Sequence, residues 1–172
     1  MKFGGLFERV ARFKKLIVDN HFLLGGTEVT ATAAELNALD GITASVTELN
    51  ALDAAPLDVD FVIGTQAGDV INVGLQLNDA AGSALATRAS VFAYLSDDAN
   101  GDSIAGTAPD GGVAIGTDGL AIPLVTSKAW LLTSEADGDI DLTLTESGVA
   151  TWYLIVVLPN GKLAASGAIT FA

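Results

Sequence analysis

The stretch IDLTLTESGVATWYLIVVLPNGKLAASGAITF, residues 140–171, sets the pattern for most of this chain. Ile140, Leu142 and Leu144 alternate with Asp141, Thr143 and Thr145, the period of a strand that buries one face and wets the other. Trp152 to Leu158 is apolar throughout, which predicts a central strand. Pro159-Asn160-Gly161-Lys162 follows, an Asn-Gly turn that favours a tight hairpin. Leu163, Ala165, Gly167, Ile169 and Phe171 are then expected to continue a single inward face to the C-terminus.

Upstream, Val70 to Asn78 repeats the alternation, with Ile71, Val73, Leu75 and Leu77 on the apolar side. Further strands are expected near Phe61–Gly64, Ser90–Ser96, Leu120–Val125 and Ala129–Thr133, giving about eight short strands separated by Gly, Asp and Asn. The fold class is therefore mainly β, an antiparallel β-sandwich over residues 57–172. Gly148 ahead of the Trp152-Tyr153 strand and its hairpin resembles the closing strands of an immunoglobulin-like domain. Tyr153 stands further from Gly148 than the usual corner tyrosine, and the cysteines of that family are missing. An Ig-like sandwich is expected first and a jelly roll second.

Ahead of the sandwich, a thirteen-residue unit occurs twice in tandem: VTATAAELNALDG, residues 29–41, and ITASVTELNALDA, residues 42–54. Thr32-x-x-Glu35 and Ser45-x-x-Glu48 are capping boxes, each a helix start. Gly41 can close the first helix in the left-handed conformation and let Ile42 fold back on Leu36. Ala54 holds that place in the second copy, and Pro56 ends the array. Helices this short do not stand alone, since even good formers need about 12–15 residues. Val29, Leu36, Leu39, Ile42, Leu49 and Leu52 must be covered by something, and neighbouring copies of the same chain are the economical partner. Residues 27–56 read as an oligomerising stalk.

The TAAELN core, Thr32 to Asn37 and degenerately Ser45 to Asn50, together with the preceding LLGGTEVTA, resembles the repeats of tailed-phage head-fibre, decoration and tail-fibre proteins. The likeness covers roughly residues 16–53. It implies a homotrimeric virion protein without separating head from tail, with the major capsid protein as partner and the outer surface of the capsid as location.

Residues 1–26 form a third segment. Phe3, Leu6, Phe7, Val10 and Phe13 recur at helical steps, with Arg9, Arg12, Lys14 and Lys15 among them, and two short strands are expected at Leu16–Val18 and Phe22–Leu24 around Asp19-Asn20-His21. Those nine apolar and basic side chains, Phe3 to Lys15, are the candidates for docking on a capsid. Charges interrupt any signal-peptide core, and no apolar run approaches the ~18 residues of a membrane span, so a soluble protein is expected.

Residues 1–24 hold five basic against two acidic side chains, +3, so the rest of a chain of net charge −13 carries −16. Such a body repels nucleic acid and anionic membrane, and neither is expected as a partner. There is no cysteine, which removes disulfides and thiolate sites, and His21 is the one histidine, too few for a histidine zinc site. Asp98, Asn100 and Asp102 alternate as a calcium loop begins, but Ser103 and Pro109 stand where Gly and a bidentate Glu are wanted, and a solvated acidic turn is expected instead. Glu135, Asp137, Asp139 and Asp141 read as a charged edge. No catalytic, cofactor or metal residues are expected.

The reading that follows is a trimeric head fibre or capsid decoration (cement) protein projecting Ig-like domains. The alternative is a tail-fibre or adhesin module binding a host-surface glycan or receptor, for which only Trp130, Trp152, Tyr94 and Tyr153 could supply a stacking platform.

Overall fold

The computed structural model describes residues 23–172. The docking candidates from Phe3 to Lys15, the strand expected at Leu16–Val18 and His21 lie outside the described residues. Two compact units divide between Thr43 and Ala44, two residues into the second repeat and just ahead of its capping Ser45.

In the first unit, β1 (Leu23–Leu24) pairs with β2 (Thr27–Glu28), Leu24 opposite Thr27. The turn between them is Gly25-Gly26, with φ of 60° and 87°, and the turn expected at Asp19-Asn20-His21 lies outside the described residues. A two-residue hairpin turn of this kind needs positive φ at both positions, which two glycines adopt without strain. Helix α1 (Ala33–Ala38) begins at Thr32: the Glu35 N–H donates to the Thr32 hydroxyl at 3.2 Å, and the Thr32 N–H donates back to the Glu35 carboxylate at 2.7 Å. The Thr32 N–H, and after it the Thr32 hydroxyl, both donate to the Glu35 carboxylate and hold it below its ordinary pKa. The helix ends at Ala38 with Leu39 as its cap, short of the expected stop at Gly41, although Gly41 does take the left-handed φ expected of it, 86°.

The second unit opens with α2 (Val46–Asp53), capped in the same way by Ser45 and Glu48 at 3.3 and 2.7 Å. Its end differs. Ala54 stays at φ −87° and ψ 0°, avoiding the left-handed region that a Cβ disfavours, and the chain runs on to a buried Pro56.

The strands follow: β3 (Asp58–Ile63), β4 (Val70–Asn78), β5 (Ser90–Ser96), β6 (Gly112–Ile115), β7 (Leu120–Val125), β8 (Ala129–Thr133), β9 (Asp139–Thr145), β10 (Ala150–Val157), β11 (Leu163–Ala165) and β12 (Ile169–Phe171). All pair antiparallel. One sheet has the order β3-β4-β9-β6, the other β11-β10-β5-β8-β7, with β12 also on β10. Their facing sides share one core: Val73, Leu75, Ile140 and Leu142 from the first sheet, Leu95, Trp130, Leu132, Trp152 and Leu154 from the second, with Phe171 from β12.

The tight hairpin expected at 159–162 forms between β10 and β11, but not as a two-residue loop, because only Gly161 takes a positive φ, 81°. Gly161 N–H donates to Leu158 carbonyl and Leu158 N–H to Lys162 carbonyl, which makes a three-residue loop closed by a left-handed glycine. Nor does one inward face run from Leu163 to Phe171. Leu163, Ala165 and Gly167 are exposed, while Ser166, Ile169 and Phe171 are buried. Ile155 lies opposite Ala165 but Trp152 opposite Ile169, a slip of one residue between β11 and β12. One extra residue reverses the faces beyond it. The buried Ser166 hydroxyl sits at the slip, accepting from the Leu154 N–H at 2.9 Å and donating to the Gly167 carbonyl at 2.8 Å.

Candidate functional site

The repeats present their apolar side chains to solvent. Leu36 is 49% exposed, Leu39 60%, Ile42 46%, Leu49 41% and Leu52 52%, and Val29 is half-buried. Leu23, Leu24 and Val46 are exposed as well. The six candidate assembly residues are therefore where a partner could reach them, and the matched caps set Leu36 and Leu49 at equivalent positions, four beyond Thr32 and Ser45.

The two sheets differ in what they turn outward. The first shows solvent Asp58, Asp60, Asp139 and Asp141, the polar half of an ordinary alternation. Asp139 has its pKa raised, by burial first and then by the charges of Asp141, Asp118 and Asp137. Asp141 accepts from the Thr117 hydroxyl. Among the described residues no group of three or more His, Cys, Asp or Glu is arranged to hold a metal ion.

The second sheet carries no charged residue on any of its strands. On its outer side Tyr94, Ala129 and Ile155 form a small buried cluster with Phe92, Tyr153 and Val157 against it. Part of this is covered by the 97–106 loop. Gly101, at φ 73°, lies so close that a Cβ would stand 3.0 Å from the Tyr94 hydroxyl and 3.1 Å from Ile155. The Tyr94 hydroxyl donates to the Gly101 carbonyl at 2.5 Å, and burial with the charges of Asp98 and Asp102 raises its pKa. Asp98 itself accepts from the N–H groups of Asn100 and Gly101 at 2.8 and 2.9 Å, a self-satisfied turn of the kind expected there.

Of the aromatic residues that a glycan site would need, Trp130 and Trp152 are 2% exposed core residues and Tyr94 is buried beneath the loop. Only Tyr153 is half-exposed. Among the described residues every buried side-chain polar atom has a hydrogen-bond partner. The open apolar outer face was missed in the sequence. Its signal was present in β5, β8 and β10, whose apolar residues run on without alternation, but such runs read equally as strands buried on both sides.

No protein-family model and no curated protein matches this sequence.

Proposed function

We propose that this chain is a structural virion protein of a tailed phage, a homotrimeric head fibre or capsid decoration protein that docks through residues 1–26, assembles through the repeats and projects an Ig-like body from the capsid. The observation that carries the reading is the exposure of the repeat leucines, 41–60%, on two helices too short to be stable unaided. Burial between copies supplies what one chain lacks. The resemblance of the TAAELN units to phage fibre repeats supports the virion setting and the threefold state.

The neighbour order of the strands supports the Ig-like body. The sheet β3-β4-β9-β6 corresponds to A-B-E-D, and β11-β10-β5-β8-β7 to G-F-C-C′-C″. The departures are in chain order: the β7–β8 hairpin comes after β6 and runs C″ before C′, where an immunoglobulin variable domain places C′ and then C″ before D. A jelly roll would put the last strand between β4 and β6, a place held by β9. The burial of both tryptophans favours a structural projection over a glycan-binding tip.

The deciding experiment separates emptied, tailless heads from tails and probes both for the protein. Heads carrying it, released when the chain begins at Gly26, would support docking through the arm. Finding it on tails alone would end the head reading.

A further inference from the structure

One row of side chains crosses the whole outer side of the second sheet. Leu163 pairs with Val157, Val157 with Phe92, Phe92 with Leu131, and Leu131 with Ile122, so these five residues stand side by side on five successive strands. Leu163 is 45% exposed, Leu131 37% and Ile122 46%, with Leu120 at 54% beside them. The 97–106 loop covers the adjacent row at Tyr94 and Ile155 and leaves this one open. An antiparallel sheet normally alternates apolar and polar; here the middle of the outer side is apolar like the core side, with Ser90, Thr133 and Thr151 only towards the strand ends, which is the composition of a sheet covered twice.

We propose that this face packs against the same face of other copies of the chain, so that the bodies as well as the repeats meet at the assembly axis. Charge selects the occupant. Residues 25–172 carry −16, and a contact between copies through the aspartates of the first sheet would set like charges together. The row offers neither a cation for an acidic partner nor a carboxylate for a basic one. What fits it is a flat, uncharged, apolar surface, and another copy's row is one. About a symmetry axis the residues nearest the axis meet their own equivalents, so a self-matching row suffices. Five side chains from each copy make a small patch that would not join free bodies, since a standard interface buries ~1,200–2,000 Å². Copies already tethered face one another at roughly millimolar effective concentration, where a weak apolar contact closes. The inference thus rests on the self-assembly proposed above but not on the virion assignment.

The chain has no cysteine, so single substitutions give unique thiols. Full-length Leu131→Cys and Ile122→Cys would be treated separately with a short bismaleimide, beside Thr143→Cys on the outer side of the other sheet. At least one of the first two should yield covalently joined chains about tenfold or more faster than Thr143→Cys, as tethered thiols do relative to colliding ones. If the protein sediments as an oligomer and neither thiol outpaces the control, this face is not the contact, and the repeat assembly stands without it. If the untreated protein is a monomer, both inferences fall.

Discussion

Replacing Leu36 and Leu49 by Asp in one chain is expected to dissolve the assembly and leave the body folded. The two leucines are 49% and 41% exposed, so about half of each side chain is still available to bury. Full burial of a leucine contributes ~1.5–3 kcal/mol, and the unburied half therefore about 0.7–1.5 kcal/mol. Six leucines in a trimer sum to roughly 4–9 kcal/mol, before any repulsion among the new carboxylates. At about 1.4 kcal/mol per factor of ten, the association weakens by about three to six orders of magnitude. Light scattering at micromolar protein reads the mass, and thermal unfolding followed by near-ultraviolet dichroism of Trp130 and Trp152 reads the body. An unchanged mass would refute the argument. So would loss of the tryptophan signal together with assembly, because the leucines would then serve the body's own core.

Three further outcomes follow from the body. Ser166→Ala should lower the unfolding free energy by about 1–3 kcal/mol in urea titration, because the Leu154 N–H loses its acceptor inside the sheet. Gly138→Ala should cost more than a typical surface change, above ~0.5 kcal/mol: at φ 85° its Cβ would stand 2.6 Å from Gln76 Nε2 and 2.8 Å from the Leu77 carbonyl oxygen. Asp139 keeps its proton in the folded state to a higher pH than in the unfolded chain, so its contribution to stability falls as pH rises through that window and is fully unfavourable at neutral pH. Asp139→Asn should therefore raise the melting temperature at pH 7, with the gain fading below the ordinary carboxylate range; a gain independent of pH would contradict the assigned cause.

Where local chemistry dictates geometry, the sequence is a sufficient guide. The two capping boxes name their own donors and acceptors, and both form at the residues that spell them. β4 runs from Val70 to Asn78, where the alternation predicts it, because one of its faces meets the core and the other water. β6 escaped notice because GVAI is short, lies among glycines and is only half-buried. The open row on the second sheet was illegible for another reason: an apolar residue facing a partner and one facing the core are the same letter. Only the register through Val157, Phe92 and Leu131 tells which side each occupies.

The slip at Ser166 gives the end of the chain a reading frame. Up to that point even-numbered residues face inward, as Ala164 and Ser166 do; beyond it odd-numbered ones do, as Ile169 and Phe171 do. Deleting one residue between 166 and 169 would turn Ile169 and Phe171 into water and present Thr170 to Trp152, although no core side chain had been altered. Substitutions in that short segment are judged one residue at a time, whereas a change of length is judged by the whole strand that follows. Drift in this protein's C-terminal strand is therefore free to change its outward letters but not their number.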